Sequence, residues 1–161
     1  HGLRDIEKNA PMQTDTLFRI ASQSKAVTSV AAMILLEEGA LRLNDPVGRF
    51  IPAFQKTQVI ADSGPAPSRR PITVRDLLTH TSGVSYGVNA AEQAYRGANL
   101  HLWYFADKDE PLSAAIDRLA GLPFDSQPGE KWVYGFSSDI LGRVVEVASG
   151  MAFETFLSTR I

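Results

Sequence analysis

Two side chains three residues apart, Ser22 and Lys25, have the chemistry of an activated nucleophile and its partner. On a helix, positions i and i+3 face the same way with Cβ atoms about 5–6 Å apart, so the hydroxyl and the amine can meet. A serine needs an adjacent base and a positive environment to attack a carbonyl carbon. The pair therefore indicates acyl transfer, with a second interpretation open: Ser22 as a simple helix N-cap and Lys25 extending to solvent.

The element that must position this pair is a helix predicted over residues 22–38, with Gly39 at its C-terminal cap. Between Ile20 and Leu36 the sole ionisable side chain is Lys25. Apolar residues occupy nearly every side of the helix, which is typical of a helix buried on most sides. We therefore expect Lys25 to be partly desolvated, which would lower the pKa of its amine and leave it poised to accept a proton.

The rest of the chain is predicted to be mostly helical. A capping-box pattern over residues 73–76 opens a short helix that runs through Leu78. Apolar periodicity predicts three more helices, over residues 111–119, over residues 139–149 and after Gly150. Residues 17–20 are predicted to be a strand end or a buried extended segment, and residues 55–70 a polar loop.

Four segments carry a resemblance to a known family: Phe18–Lys25 (FRIASQSK), Leu77–Gly83 (LLTHTSG), Pro128–Tyr134 (PGEKWVY) and Asp139–Gly142 (DILG). Together they resemble the serine β-lactamase and penicillin-binding protein family, and within it the class C β-lactamases and the carboxylesterases related to them. The resemblance implies an α+β chain with the β-lactamase/transpeptidase-like fold. Residues 1–161 would be a single, incomplete catalytic domain: the N-terminal and central, mainly helical part of a longer chain, with most of the antiparallel sheet missing.

The resemblance also implies catalytic roles for Ser22, Lys25 and Tyr134. Ser22 would be the nucleophile, and Tyr134, which taken alone would be a packed aromatic residue, would be the tyrosine of the family's Tyr-x-Asn motif. Either Lys25 or Tyr134 would be the general base. Phe136 stands at the position of the family asparagine, whose amide holds β-lactam or peptide substrates, and an apolar ring can neither donate nor accept a hydrogen bond there.

This departure favours a carboxylesterase that acts on small-molecule esters through an acyl-enzyme, with at most weak β-lactam hydrolysis. The alternatives are a class C-type β-lactamase or D,D-peptidase acting on amides, and a non-catalytic penicillin-binding-like sensor. The family's third motif, Lys-Thr-Gly or an equivalent, is not in the sequence. Its strand supplies one oxyanion-hole donor, and losing such a donor costs about 10²–10³ in rate. We therefore expect residues 1–161 to need the remainder of their own polypeptide for activity.

A second serine, Ser85, lies in a Gly-x-Ser-x-Gly pattern at residues 83–87. The nucleophile elbow of α/β-hydrolases has this pattern, but it needs a buried strand before it and a helix after it. The sequence predicts neither a buried strand before Ser85 nor a buried helix after it, so we predict that Ser85 is not the nucleophile. His80 and Ser82 are predicted to shape the preceding turn. The aromatic residues 103–105 are predicted to lie in the core or in a surface loop, with a pocket wall as the alternative. Trp132 is predicted to lie in the core or at a pocket wall.

Composition excludes several other functions. With 16 Lys and Arg against 18 Asp and Glu, the net charge of −2 gives no basis for binding nucleic acid. The chain has no cysteine, which excludes disulfides and thiolate sites within it. The three histidines, His1, His80 and His101, lack ligand spacing, so neither a metal nor a cofactor is implied. No apolar run is long enough to predict a membrane span.

Overall fold

Helices dominate the part of the chain that the computed structural model describes, residues 1–102 and 104–161. The helices are α1 (Ser24–Glu37), α2 (Val74–Leu78), α3 (Glu92–Gly97), α4 (Tyr104–Asp107), α5 (Leu112–Ala120), α6 (Ser137–Ser149) and α7 (Phe153–Arg160). The strands are β1 (Leu3–Asp5), β2 (Ala10–Pro11), β3 (Gln58–Ala61), β4 (Gly64–Pro67) and β5 (Pro123–Phe124). Trp103, from the predicted aromatic cluster, lies outside the described residues. No described helix is long and apolar enough to cross a bilayer.

The core is built around α6, which packs against α1, α2, α5 and α7. Its buried face carries Ile140, Leu141, Val144 and Val145, and the facing helix α1 contributes Ala31, Ala32 and Leu35. Burying each large aliphatic side chain contributes about 1.5–3 kcal/mol. This contact fixes the geometry of the predicted site, because α1 follows directly after Ser22 and α6 begins three residues after Tyr134.

The helix predictions are confirmed at their caps. Thr73 and Asp76 form the predicted capping box at the start of α2, in which the Thr73 N–H donates to the Asp76 carboxylate at 2.9 Å. Gly39 follows α1 and Gly150 follows α6, each in the left-handed conformation with φ of 75° and 70°. Glycine is favoured there because it has no Cβ to clash with the preceding turn.

The expectation that α1 is buried on most sides is wrong for the described structure. One face lies in the core, but Val30 on another face is 48% exposed and Lys25 is half-buried. The physical reason is that none of the described elements packs on that second face. The segment 17–20 likewise forms no regular strand and is not buried, since Leu17 is 96% exposed.

The predicted polar loop at residues 55–70 contains a β-hairpin, so this prediction is also wrong. Strands β3 and β4 pair antiparallel, and β5 adds to the other side of β3 in parallel. Pro65 and Pro67 concealed the strand in the sequence, because proline lacks the N–H that a central strand needs. They are tolerated because β4 is an edge strand of this three-stranded sheet. A second, two-stranded antiparallel pair, β1–β2, was not predicted either.

Candidate active site

Ser22 lies in a 3₁₀ turn, Ala21–Gln23, that leads directly into α1, and its side chain is exposed. Lys25 follows in the first turn of α1, and its Nζ donates to Ser22 Oγ at 3.4 Å. The prediction that hydroxyl and amine meet is therefore confirmed. The preceding residue, Ala21, has φ of 47°, an uncommon conformation for a residue with a Cβ. Backbone strain of this kind concentrates at functional sites.

Tyr134 joins the pair from 112 residues further along the chain. Its hydroxyl oxygen lies 3.0 Å from Ser22 Oγ, within hydrogen-bonding distance. Lys25 Nζ stands over the Tyr134 ring at 4.8 Å from the ring centre. The structure thus brings together all three residues to which the family resemblance gives catalytic roles.

The pKa of Lys25 departs from the expectation drawn from the sequence. Partial burial acts to lower this pKa, but hydrogen bonds to Tyr134 and Tyr86 outweigh it, so the pKa of Lys25 is raised. The expected lowering is wrong because α1 leaves Lys25 partly open to solvent and because two phenol oxygens stabilise its ammonium form. Lys25 is therefore a cation at neutral pH.

The same interactions act in the opposite direction on Tyr134. Its hydrogen bond to Lys25, together with a weaker one to Ser22, lowers the pKa of the Tyr134 phenol. A tyrosine with a lowered pKa, one hydrogen bond from a serine hydroxyl, has the position and the chemistry of a general base. The arrangement can remove a proton from Ser22 and hold the resulting charge beside an ammonium group.

Tyr86 is a residue of this site that the sequence reasoning missed. Its ring meets Tyr134 edge-on at 5.5 Å, and its hydroxyl interacts with both Lys25 and Tyr134. Burial raises the pKa of Tyr86, so it stays protonated as a hydrogen-bond donor. Its position within the Gly-x-Ser-x-Gly pattern at residues 83–87 carries no local signal of this role.

Asp139 is a second residue that the sequence reasoning missed, because the sequence predicts only that it begins a helix. It lies in the first turn of α6, near enough to Lys25 to feel its charge. Burial raises the pKa of Asp139 to about 6, and the Lys25 charge only partly opposes this. Asp139 is thus the acidic group near Lys25 that titrates just below neutral pH.

Phe136 does not line the site. It is 2% exposed, and its ring packs edge-on against Tyr86 at 4.8 Å, on the core side of that residue. No amide therefore stands at this position to hold a peptide or lactam group. The wall beside Tyr134 is instead formed by Trp132, which stacks on it at 5.5 Å and is 65% exposed, so the core position considered for Trp132 is wrong.

The alternative nucleophile Ser85 is fully buried, and its Oγ accepts the Gly87 N–H at 3.0 Å. No substrate carbonyl can reach it, in agreement with the prediction against the elbow. Ser82 is also buried, and its Oγ accepts the Val84 N–H within the predicted turn. Among the residues that the structure describes, no group of three or more His, Asp or Glu side chains is placed to hold a metal ion.

Comparisons with known proteins place this chain among relatives of known sequence. A family model described as Beta-lactamase matches residues 1–161. Protein Rv1367c of Mycobacterium tuberculosis is 45% identical over 149 residues, covering 89% of this chain and 36% of that protein. Esterase EstB of Burkholderia gladioli is 37% identical over 150 residues, covering 92% of this chain and 36% of that protein.

A solved structure shows that the fold of this chain is also found in a related hydrolase. EstCE1, described as a hydrolase with promiscuous acyltransferase activity, superposes with a TM-score of 0.82 at 31% sequence identity. The match covers 99% of this chain and 40% of that one. The present chain therefore spans well under half of the length of each of these relatives.

Proposed function

The chain belongs to the β-lactamase family, and from that premise we propose that its protein hydrolyses carboxylic esters through an acyl-enzyme formed on Ser22. Its fold is the α+β, β-lactamase/transpeptidase-like fold that the sequence predicted. The observation that carries the proposal is the meeting of Ser22 Oγ with the Tyr134 hydroxyl at 3.0 Å and with Lys25 Nζ at 3.4 Å.

The proposed reaction begins with proton transfer from Ser22 Oγ to the Tyr134 phenolate, which the Lys25 ammonium stabilises. Ser22 Oγ attacks the ester carbonyl carbon, and the tetrahedral intermediate collapses as the alcohol leaves with a proton from Tyr134. Water then attacks the acyl-enzyme, Tyr134 takes its proton, and the acid is released as Ser22 Oγ regains a proton. Tyr86 would help to hold the Lys25 ammonium in place throughout.

Esters are favoured over β-lactams and peptides as substrates by the surroundings of Ser22. A carboxylate or amide of a lactam substrate needs hydrogen-bond partners, and leaving such groups unpaired is costly. Phe136 is turned into the core, and the exposed wall beside Tyr134 is the indole of Trp132. The name of the relative Esterase EstB supports the same preference.

We also propose that residues 1–161 form one incomplete catalytic domain that the remainder of the polypeptide completes. Support comes from the 36–40% of each relative's length that the chain spans. Further support comes from exposed apolar side chains, Leu17, Phe18 and Ile20 in the segment before Ser22 and Val30 on α1. The remainder would cover these side chains and add the second oxyanion-hole donor beside the Ser22 N–H.

The test is hydrolysis of p-nitrophenyl butyrate by the full-length protein and by Ser22→Ala. We expect Ser22→Ala to lower kcat by at least about 10³-fold. Ser24→Ala, at an exposed serine two residues away, is the matched control and should leave turnover unchanged. Full turnover by Ser22→Ala would overturn the proposal. Loss of turnover in Ser85→Ala alone would mean that Ser85, in the Gly-x-Ser-x-Gly pattern, is the nucleophile.

A second assay separates the two alternatives. With the β-lactam nitrocefin we expect kcat/KM at least about tenfold below the ester value, since discrimination by unpaired polar groups is large. Faster nitrocefin hydrolysis would make the protein a β-lactamase. A stable acyl-enzyme, visible by mass spectrometry and without turnover of either substrate, would mark the sensor alternative.

A further inference from the structure

His80 occupies a backbone position that normally belongs to glycine. It follows α2 with φ of 55°, and the surrounding bonds, His80 N–H to the Leu77 carbonyl and Thr81 N–H to the Asp76 carbonyl, form a Schellman-type helix end. Glycine is preferred at this position because a Cβ in the left-handed conformation costs free energy. A histidine at this position, with that cost, points to a use for its side chain.

The His80 side chain and backbone both hold the segment that carries Tyr134. The imidazole lies against the Tyr134 ring with 5.0 Å between ring centres, and 6.2 Å from the Trp132 ring. The His80 carbonyl accepts the Val133 N–H at 2.8 Å. These contacts matter because residues 131–134 form neither helix nor strand, so Tyr134 depends on its neighbours for its position.

The imidazole is neutral in this setting. Its Nδ1 is buried without a hydrogen-bond partner among the described residues. Burial and the Lys25 charge both lower the pKa of His80. The charge that acts on the imidazole is the Lys25 ammonium, and the aromatic rings of Tyr134 and Trp132 lie against it. A neutral ring can pack against Tyr134 here, whereas an imidazolium would be repelled by Lys25.

We propose that His80 is a positioning residue, whose packed imidazole holds the Tyr134 hydroxyl against Ser22 Oγ. The inference rests on the proposed function, since it assigns Tyr134 a part in acyl transfer. Misplacing a reacting group by about 1 Å can cost about 10²-fold in rate, so loss of this support would lower turnover without removing any reacting atom. A turn-forming role alone would not need the ring.

The experiment compares His80→Gly and His80→Asn in the full-length protein, because both replacements adopt positive φ readily. We expect kcat for p-nitrophenyl butyrate to fall about 10- to 100-fold in both, with KM within about twofold of wild type. The ascending limb of the pH profile of kcat should move to higher pH, because a Tyr134 that leaves Lys25 regains its ordinary pKa. Thermal midpoints should match or exceed wild type.

Wild-type kcat in His80→Gly would overturn the inference, since glycine satisfies the turn completely. A loss of kcat matched by an equal loss of thermal stability in both variants would assign His80 to folding and overturn it as well. Ser22→Ala in the same series tests the premise separately. If Ser22→Ala remains active, the proposed function fails; if it is inactive while His80→Gly is fully active, only the role of His80 fails.

Discussion

Lys25 and Tyr134 both contact Ser22, but only one of them is suited to accept its proton. Lys25 has a raised pKa and is already protonated, whereas the pKa of Tyr134 is lowered by its hydrogen bond to Lys25. A base must be deprotonated before the reaction. The raised pKa therefore makes Lys25 the stabilising cation, and the lowered pKa makes Tyr134 the better base. Tyr134 is the proposed base, and its hydrogen bond to Lys25 favours the phenolate form that a base needs.

Tyr134→Phe tests this division, because it removes the hydroxyl and keeps the ring that His80 and Trp132 contact. We expect kcat/KM for ester hydrolysis to fall about 10²–10⁴-fold, with little change in thermal midpoint. Tyr86→Phe is the matched control. It removes a hydroxyl that interacts with Lys25 and Tyr134, and we expect a smaller loss, about tenfold. A greater loss in Tyr86→Phe would make Tyr86 the base.

Asp139 gives the site a testable pH dependence of stability. Its pKa is about 6 in the folded chain against 3.8 ordinarily, so folding favours the protonated carboxyl. The stabilising contribution is complete below pH about 3.8 and is lost as pH rises through 6. Asp139→Asn should therefore gain stability relative to wild type as pH rises from 4 to 7, by about 1–2 kcal/mol after allowance for partial exposure.

Thermal unfolding of the wild type and Asp139→Asn at several pH values measures this difference. Glu37→Gln, at an exposed position at the C-terminal end of α1, is the control, because it removes a carboxyl that is open to solvent. A difference between wild type and Asp139→Asn that stays constant with pH would show that the carboxyl is solvated in the folded protein. Because Lys25 lies near Asp139, we also expect kcat to change with pH as the Asp139 carboxyl loses its proton.

At the scale of elements, the parts predicted from sequence were those fixed by local bonding. The capping box at Thr73 and the C-terminal glycine caps at Gly39 and Gly150 depend on neighbours within a few residues, so the local sequence predicts them. Hairpin β3–β4 was missed because its prolines mimic a loop and its pairing partner β5 lies about 60 residues away. The approach of Tyr86 to Lys25 was missed because it depends on tertiary packing alone.

The meeting of Ser22 with Lys25 followed from helical spacing, whereas the contact with Tyr134 followed from family resemblance. No spacing argument brings together residues 112 positions apart. The sign of the Lys25 pKa shift was wrong for a related reason. The apolar sequence of the helix implied burial of Lys25. The direction of its pKa shift is decided instead by the hydroxyl groups of Tyr134 and Tyr86, which other segments of the chain place beside it.

The capping box of α2 carries a prediction about stability at this scale. The Thr73 side chain accepts the Asp76 N–H, and the Asp76 carboxylate accepts the Thr73 N–H while it pairs with Arg70 at 2.6 Å. Thr73→Val keeps the shape and removes the cap, so we expect a loss of about 1 kcal/mol in unfolding free energy. Thr73→Ser keeps the hydroxyl and should lose far less, as thermal unfolding would show. No loss in Thr73→Val would mean that the cap does not stabilise α2, and equal losses in the two variants would mean that the hydroxyl contributes no more than the methyl group.

At the scale of the whole molecule, the site lies beside the N-terminal ends of α1 and α6, two helices that pack together, and both the site and one face of α1 are exposed. Ser22 is exposed, and Leu17, Phe18 and Ile20 stand beside it uncovered. Exposed apolar side chains grouped beside the proposed nucleophile are typical of an interface or a binding groove. The relatives are more than twice as long as this chain, so further chain is the proposed cover.

Val30 offers a direct test of that cover, because it lies on the open face of α1 at 48% exposure. In the full-length protein, Val30→Glu would place a charge against the covering chain, and we expect a loss of about 2–4 kcal/mol, seen as a fall of several degrees in the thermal midpoint. Glu37→Gln, at an exposed position on the same helix, is the control and should be neutral. In residues 1–161 alone, Val30→Glu should be neutral as well, and ester turnover should be no higher than for Ser22→Ala. Neutral behaviour of Val30→Glu in the full-length protein would mean that the face stays open, and turnover by residues 1–161 alone would mean that this chain already holds a complete site.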